Sequence, residues 1–197
     1  MKTETDTTDL TFVTGVSSPE TVNKSAFGFL AEQMSIEPHL LHPRSESLEE
    51  SFREGLSLII MADGLPIAHT RLIPLLNGWY ELGSTWVHPQ HRHKGLSNVL
   101  YERFLGLHKD KNVLATTTNP IAMQTGRHLH FVTVRRAELP EQVWRASCSC
   151  SPEKTGCHNG NRSCHLAFGE VKQNGHPLCY FRVTPETAGR VCIDSSR

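Results

Sequence analysis

Four adjacent basic-type residues, His91, Arg92, His93 and Lys94, stand directly before Gly95. After the glycine, Leu96, Val99, Leu100, Phe104 and Leu107 recur on one face of a helix. Basic side chains thus meet the free N–H groups and the positive end of a helix N-terminus, which favours phosphate. An ordinary solvated turn is the plainer alternative. Upstream lies Glu81, within the run WYELGSTWV. A partly desolvated glutamate, its pKa raised, can act as a general base. The same residue also reads as a surface strand carboxylate beside Tyr80.

A second cluster lies far downstream. Cys148, Cys150, Cys157 and Cys164 fall within seventeen residues, and His158 and His165 directly follow the last two of them. Turn-forming residues fill the gaps, as a loop wrapped on a metal requires. Zinc held by the four thiolates is the preferred reading, with either histidine able to replace one of them. Four protein ligands leave no open position, so such a zinc is structural. The spacing is not a double Cys-x-x-Cys. An iron–sulfur cluster, a redox pair, free thiols and disulfides stay open as alternatives.

The elements that position these groups follow from turn chemistry and periodicity. Leu10–Val16 reads as a first strand. Ser18 and Pro19 suit the start of a helix running to about Met34. Ser45 or Ser47 is expected to cap a short helix through Phe52 and Arg53. Leu56–Ala62 and Leu65–Leu72 are strands joined at Asp63-Gly64, and Asn77-Gly78 turns the chain into the strand Trp79–Val87. Residues 56–87 therefore form a three-stranded antiparallel meander that feeds the basic turn. His88-Pro89 ends its last strand. A helix over 96–108, a strand over Asn112–Thr118, a short helix from Asn119-Pro120 to Leu129 and a strand over Phe131–Arg135 follow. Asn174-Gly175 marks a last hairpin, with strands near Leu166–Lys172 and Pro177–Thr184.

The bulk properties narrow the class. A chain of 197 residues suffices for one domain with a sizeable core. Twenty basic and twenty acidic residues balance, which disfavours a nucleic-acid binder. No apolar run approaches the ~20 residues that span a bilayer, and the polar start lacks a signal region. The expectation is a soluble, cytoplasmic protein without nucleic-acid or membrane partners. Residues 1–9 are expected to be disordered, 10–184 to form the domain with a cysteine-rich insertion at 145–166, and 185–197 to be a tail.

The stretch Val87-x-Pro89-x-x-Arg92-x-x-Gly95-Leu96-Ser97-x-x-Leu100 resembles the acyl-CoA-binding signature of the GNAT (GCN5-related) N-acetyltransferases, with Ser97 where glycine or alanine is usual. The resemblance covers about residues 10–136. It implies an α/β fold with a mixed, mostly antiparallel central sheet and flanking helices. It also implies that the amides of Arg92, His93, Lys94, Gly95, Leu96 and Ser97 hold the pyrophosphate of acetyl-CoA. A backbone N–H from Trp86, Val87 or His88 then receives the thioester oxygen, and Asn119 contacts the coenzyme. Glu81 stands where some members keep a general base. Gly126 replaces the tyrosine that usually protonates the leaving thiolate. His128 and His130 are the nearest substitutes; water, or no catalysis at all, are the alternatives. The implied reaction is direct attack of an amine on acetyl-CoA in a ternary complex, with the acceptor unread and a homodimer admitted. His39, His42 and Arg44 fall where the family lines its acceptor site, with solvated loop residues as the plainer reading. A non-catalytic acyl-CoA-binding or zinc-stabilised interaction module is the rival reading.

Overall fold

A computed structural model describes residues 10–16, 22–37, 40, 42–117, 119–134, 138–147 and 180–191. The cysteines at 148, 150, 157 and 164, the histidines at 158 and 165, His39, and the strand expected near 166–172 all lie outside the described residues. The chain begins with β1 (Thr11–Val13), α1 (Lys24–Ser35) and α2 (Ser45–Arg53). The meander follows as β2 (Ser57–Ala62), β3 (Leu65–Pro74) and β4 (Trp79–Val87). Its two turns have the left-handed backbone that their sequences demand: φ is 51° and 77° at Asp63-Gly64, and 57° and 73° at Asn77-Gly78.

After a single 3₁₀ turn over Pro89–His91 come α3 (Leu96–Leu107), β5 (Asn112–Thr117), α4 (Pro120–His128) and β6 (Val132–Val134). The last elements are α5 (Glu141–Ser147), β7 (Tyr180–Val183) and α6 (Pro185–Arg190). Neither α5 nor α6 was expected from the sequence, and the packed chain runs on past 184: Ala188 of α6 is buried beside Val143 and Trp144 of α5.

Among the described residues seven strands form one sheet in the order β1-β2-β3-β4-β5-β7-β6. All neighbours are antiparallel except β4 and β5. A parallel pair needs a crossover connection, and α3 supplies it. Helix α3 buries Leu96, Leu100 and Phe104 against Leu58, Ile60 and Leu82 on one face. On the other face, Leu30 and Met34 of α1 and Phe52 of α2 close over Ile59 and Trp86.

Two helix starts depart from expectation. The described part of α1 begins at Lys24, and its cap is Asn23, whose side chain accepts from the Ala26 N–H at 3.0 Å. Ser18 and Pro19, where the start was expected, lie outside the described residues; the cap observed is an Asx residue closer to the apolar run. Replacing it (Asn23→Ala) should cost about 1 kcal/mol, read as a shift of the urea midpoint with an unchanged slope. In α2, neither Ser45 nor Ser47 caps: Arg44 occupies the cap position without a side-chain bond. Ser47 Oγ instead accepts from Arg71 Nη1 at 2.7 Å, because a buried guanidinium competes for the hydroxyl.

Candidate active site

β4 and β5 pair only at Trp79–Asn112, Tyr80–Val113 and Glu81–Leu114. Beyond Glu81 the strands diverge, and β5 is paired on its far side with β7. The second half of β4 therefore has one unclaimed edge. A cleft of about 240 Å³ opens there, lined by Thr85, Trp86 and Val87 of β4, by the turn into α3, and by Asn119, Ala122 and Thr125 around α4.

The backbone of β4 is bent at the opening. Its register with β3 slips between His69 and Arg71, and Ser84 has φ 51°, which is left-handed backbone on a non-glycine residue. Side-chain alternation inverts at this bulge. Tyr80 and Leu82 face α3 before it, and Val87 does so after it. Thr85 also points that way, accepting from Tyr101 Oη at 2.9 Å. Trp86 turns to the α1 face.

The bulge is held from both faces. The Ser84 carbonyl lies 2.8 Å from Nδ1 of His69. A carbonyl only accepts, so Nδ1 carries the proton and Nε2 accepts from Ser57 Oγ at 2.9 Å. His69 is fully buried, and desolvation pushes its pKa down to about 3, against an opposing contribution from the Ser84 bond. Arg71 Nε donates to Ser84 Oγ at 3.0 Å. On the α3 side, Thr85 is also 2.8 Å from Thr70 Oγ1. Burial raises the pKa of Tyr101, so its hydroxyl keeps its proton.

These constraints fix where one N–H points. His88 N donates to the Ile67 carbonyl at 2.8 Å, so that pair is hydrogen-bonded across β3 and β4. The adjacent pair, Ala68 and Val87, must then direct its N–H and C=O groups away from each other. The Val87 carbonyl indeed accepts from Arg92 Nε at 2.9 Å. The Val87 N–H, on the same side of the strand, faces the gap between β4 and β5.

At the far end of the cleft, Gly95 caps α3 with φ 76° and no side-chain cap bond. His93, two residues earlier, also has positive φ (63°). The Asn98 N–H donates to the Gly95 carbonyl at 3.0 Å, which leaves the N–H groups of Leu96 and Ser97 at the start of α3 for an anion. Arg92 reaches back to form an ion pair with Glu37 at the end of α1.

Of the residues singled out in the sequence, Trp86, Val87, Arg92, His93, Gly95, Leu96, Ser97 and Asn119 share the lining of this one cleft. Lys94 sits on the same turn, exposed and outside the lining. Glu81 lies at the base of the divergence, where its Oε1 accepts from Thr116 Oγ1; that is six residues, or roughly 20 Å of strand, from Val87. His128 is exposed, 4.0 Å from Glu102, and His130 is exposed with φ 58°. Neither histidine lines the cleft. Gly126 is buried beside Phe131 and the aliphatic part of Arg182. The cleft-lining carboxylate is one the sequence did not single out, Glu37. Its signal was faint: one acidic residue where α1 gives way to a proline-punctuated loop. Among the described residues no group of three His, Cys, Asp or Glu side chains could hold a metal, and no helix is long and apolar enough to cross a membrane.

Residues 27–131, just over half of the chain, match the model of the acetyltransferase (GNAT) family. No curated protein sequence matches the chain. Among solved structures it is similar to N-acetylglutamate synthase from Neisseria gonorrhoeae complexed with coenzyme A and N-acetyl-glutamate, at 16% identity and a TM-score of 0.55. That match covers 89% of this chain, which spans about a third (35%) of the synthase. Rv2747 from Mycobacterium tuberculosis, in complex with CoA and NLQ, is similar at 13% identity and a TM-score of 0.56, over 83% of this chain and 97% of that one. A GNAT-family acetyltransferase from Staphylococcus aureus Mu50 matches at 12% identity and a TM-score of 0.52, over 88% and 98% of the two chains. Likenesses at this identity speak for the fold.

Proposed function

The chain belongs to the GNAT family of acetyltransferases, and from that premise we propose that it moves an acetyl group from acetyl-CoA to an amine by direct attack. The observation that carries this reading is the Val87 N–H. It points into a cleft that continues, on one side, to the uncapped N-terminus of α3. A pyrophosphate at that N-terminus and a thioester carbonyl at Val87 are the two ends of one extended ligand. The amides of the turn and Arg92 hold the phosphates. The Val87 N–H donates to the thioester oxygen, which takes on charge as the carbon becomes tetrahedral. No covalent intermediate on the protein is required, because positioning the amine against the thioester supplies much of the acceleration. The N-acetylglutamate synthase that this chain resembles is complexed with coenzyme A and N-acetyl-glutamate, an acetylated amine, which agrees with this class of chemistry.

The cysteine-rich stretch is read as a structural zinc loop held by Cys148, Cys150, Cys157 and Cys164, on the strength of its composition and spacing alone. Cytoplasmic residence is the matching reading for free thiolates.

One measurement addresses both readings. Native mass spectrometry of the purified protein with acetyl-CoA should show a one-to-one coenzyme adduct, and a zinc mass that is lost with a chelator. No coenzyme adduct at high micromolar acetyl-CoA would sink the acetyltransferase reading. Coenzyme bound without zinc would leave that reading standing and remove the zinc loop.

A further inference from the structure

An amine acceptor is mostly ammonium at neutral pH, so its binding site needs a carboxylate near the reacting carbonyl. Glu81 is remote from the end of β4 where that carbonyl would lie. Glu37 is not. Its carboxylate is half-buried, lines the cleft, and is ion-paired with Arg92. The same guanidinium donates from Nε to the Val87 carbonyl at 2.9 Å. One planar group therefore links Glu37 to Val87, and sets the carboxylate a single guanidinium width from the residue whose N–H faces the gap. The same lining includes the apolar Leu40 and Trp86, whose ring packs at right angles to Phe29. A cation entering there has this carboxylate to meet.

Resting on the acetyltransferase reading above, we infer that Glu37 is the residue that receives the acceptor's ammonium group, and that Arg92 holds it in position beside Val87. The acceptor is then a primary amine that is cationic at neutral pH. The balance closes in three moves. The ammonium sheds one proton through the carboxylate to solvent. The amine nitrogen bonds the thioester carbon as the C–S bond breaks. The second proton lost by nitrogen ends on the departing sulfur, giving an amide and free coenzyme A thiol.

Arg92 has two anions to serve, Glu37 and the incoming pyrophosphate. The pair therefore couples the coenzyme end of the cleft to the acceptor end.

The test compares wild type, Glu37→Gln and Glu37→Asp in the full chain, with acetyl-CoA and two sets of probe amines. One set is cationic at pH 7 (ethanolamine and a lysine-containing peptide). The other is neutral there (aniline and hydroxylamine). Glu37→Gln should lower kcat/KM for the cationic amines by roughly ten- to a hundredfold, the range of a hydrogen bond to a charged group. The change should fall mainly in KM, the neutral amines should lose far less, and Glu37→Asp should recover part of the loss. A purely structural role would depress both sets alike, and that result overturns the inference; so does full activity of Glu37→Gln on the cationic set. If wild type binds acetyl-CoA but acetylates neither cationic probe, the inference is overturned; if it binds no acetyl-CoA, the acetyltransferase reading itself fails. That outcome is visible before any variant is measured.

Discussion

Reversing one charge, Arg92→Glu, should weaken acetyl-CoA binding by about thirtyfold and make the remaining affinity less sensitive to salt. The residue has three engagements. Its Nε holds the Val87 carbonyl, its Nη2 meets Glu37, and its backbone belongs to the turn that leads into the uncapped N-terminus of α3. The substitution turns a cation into an anion facing both a pyrophosphate and an existing carboxylate. A charge pair about 5 Å apart at an effective dielectric near 20 is worth about 3 kcal/mol before salt screening. Allowing for that screening, a net loss of about 2 kcal/mol corresponds to the stated factor. Arg92→Gln should lose less, since it removes the attraction without adding repulsion. Isothermal titration with acetyl-CoA at low and high salt reads all three proteins. Equal affinity in all of them would mean that the phosphates do not lie on this turn.

The half of the fold that builds the cleft was legible because short-range chemistry dictates it. Asp63-Gly64 and Asn77-Gly78 are each suited to two successive left-handed residues, the backbone of a tight hairpin turn, so the meander followed from four residues. Trp79–Val87 and Leu96–Leu107 were legible for a similar reason: a proline and a glycine bound an aromatic-rich run and an amphipathic one. What the sequence concealed is tertiary. The bulge at Ser84 shows only as Gly83 inside a strand, yet it decides which side chains of β4 meet α3 and which N–H faces the gap. Glu37 became a candidate only because Arg92, fifty-five positions on, folds back against it. Conversely, Glu81, His128 and His130 drew notice by residue type and spacing, and the fold sets them away from the cleft lining. Helices α5 and α6 escaped notice because both are short, seven and six residues. Their formation depends on docking Trp144 and Ala188 against the sheet rather than on propensity.

Acid should destabilise this protein steeply, with His69 the principal cause. Its ring is sealed between β2 and β4, donating to the Ser84 carbonyl and accepting from Ser57. A second ring proton would put a buried cation beside Arg71 and force the Ser57 hydroxyl to turn from donor to acceptor. The folded pKa is accordingly about 3, against 6.5 for the free side chain. Between those values the unfolded chain binds a proton that the folded one refuses, so stability falls as pH drops below about 6.5 and levels off only near the folded pKa. At about pH 4.5 the histidine has crossed two pH units of that window. At ~1.4 kcal/mol each, it has removed roughly 2 to 3 kcal/mol of stability relative to neutral pH. Burial also lowers the pKa of His91 and His108, so the wild-type pH slope contains more than one histidine. His69→Gln isolates the largest contribution. It retains one donor and one acceptor but cannot be charged. It should be less stable than wild type at pH 7, by about 1 to 3 kcal/mol for imperfect replacement of two buried hydrogen bonds, and it should lose much less on acidification. The two urea midpoints should therefore converge between pH 7 and about pH 4.5. Parallel midpoints over that range would show that His69 is not the acid-labile group. Because the same ring holds the Ser84 carbonyl, the acid transition should begin at the bulge, and acetyl-CoA affinity should fall along with stability.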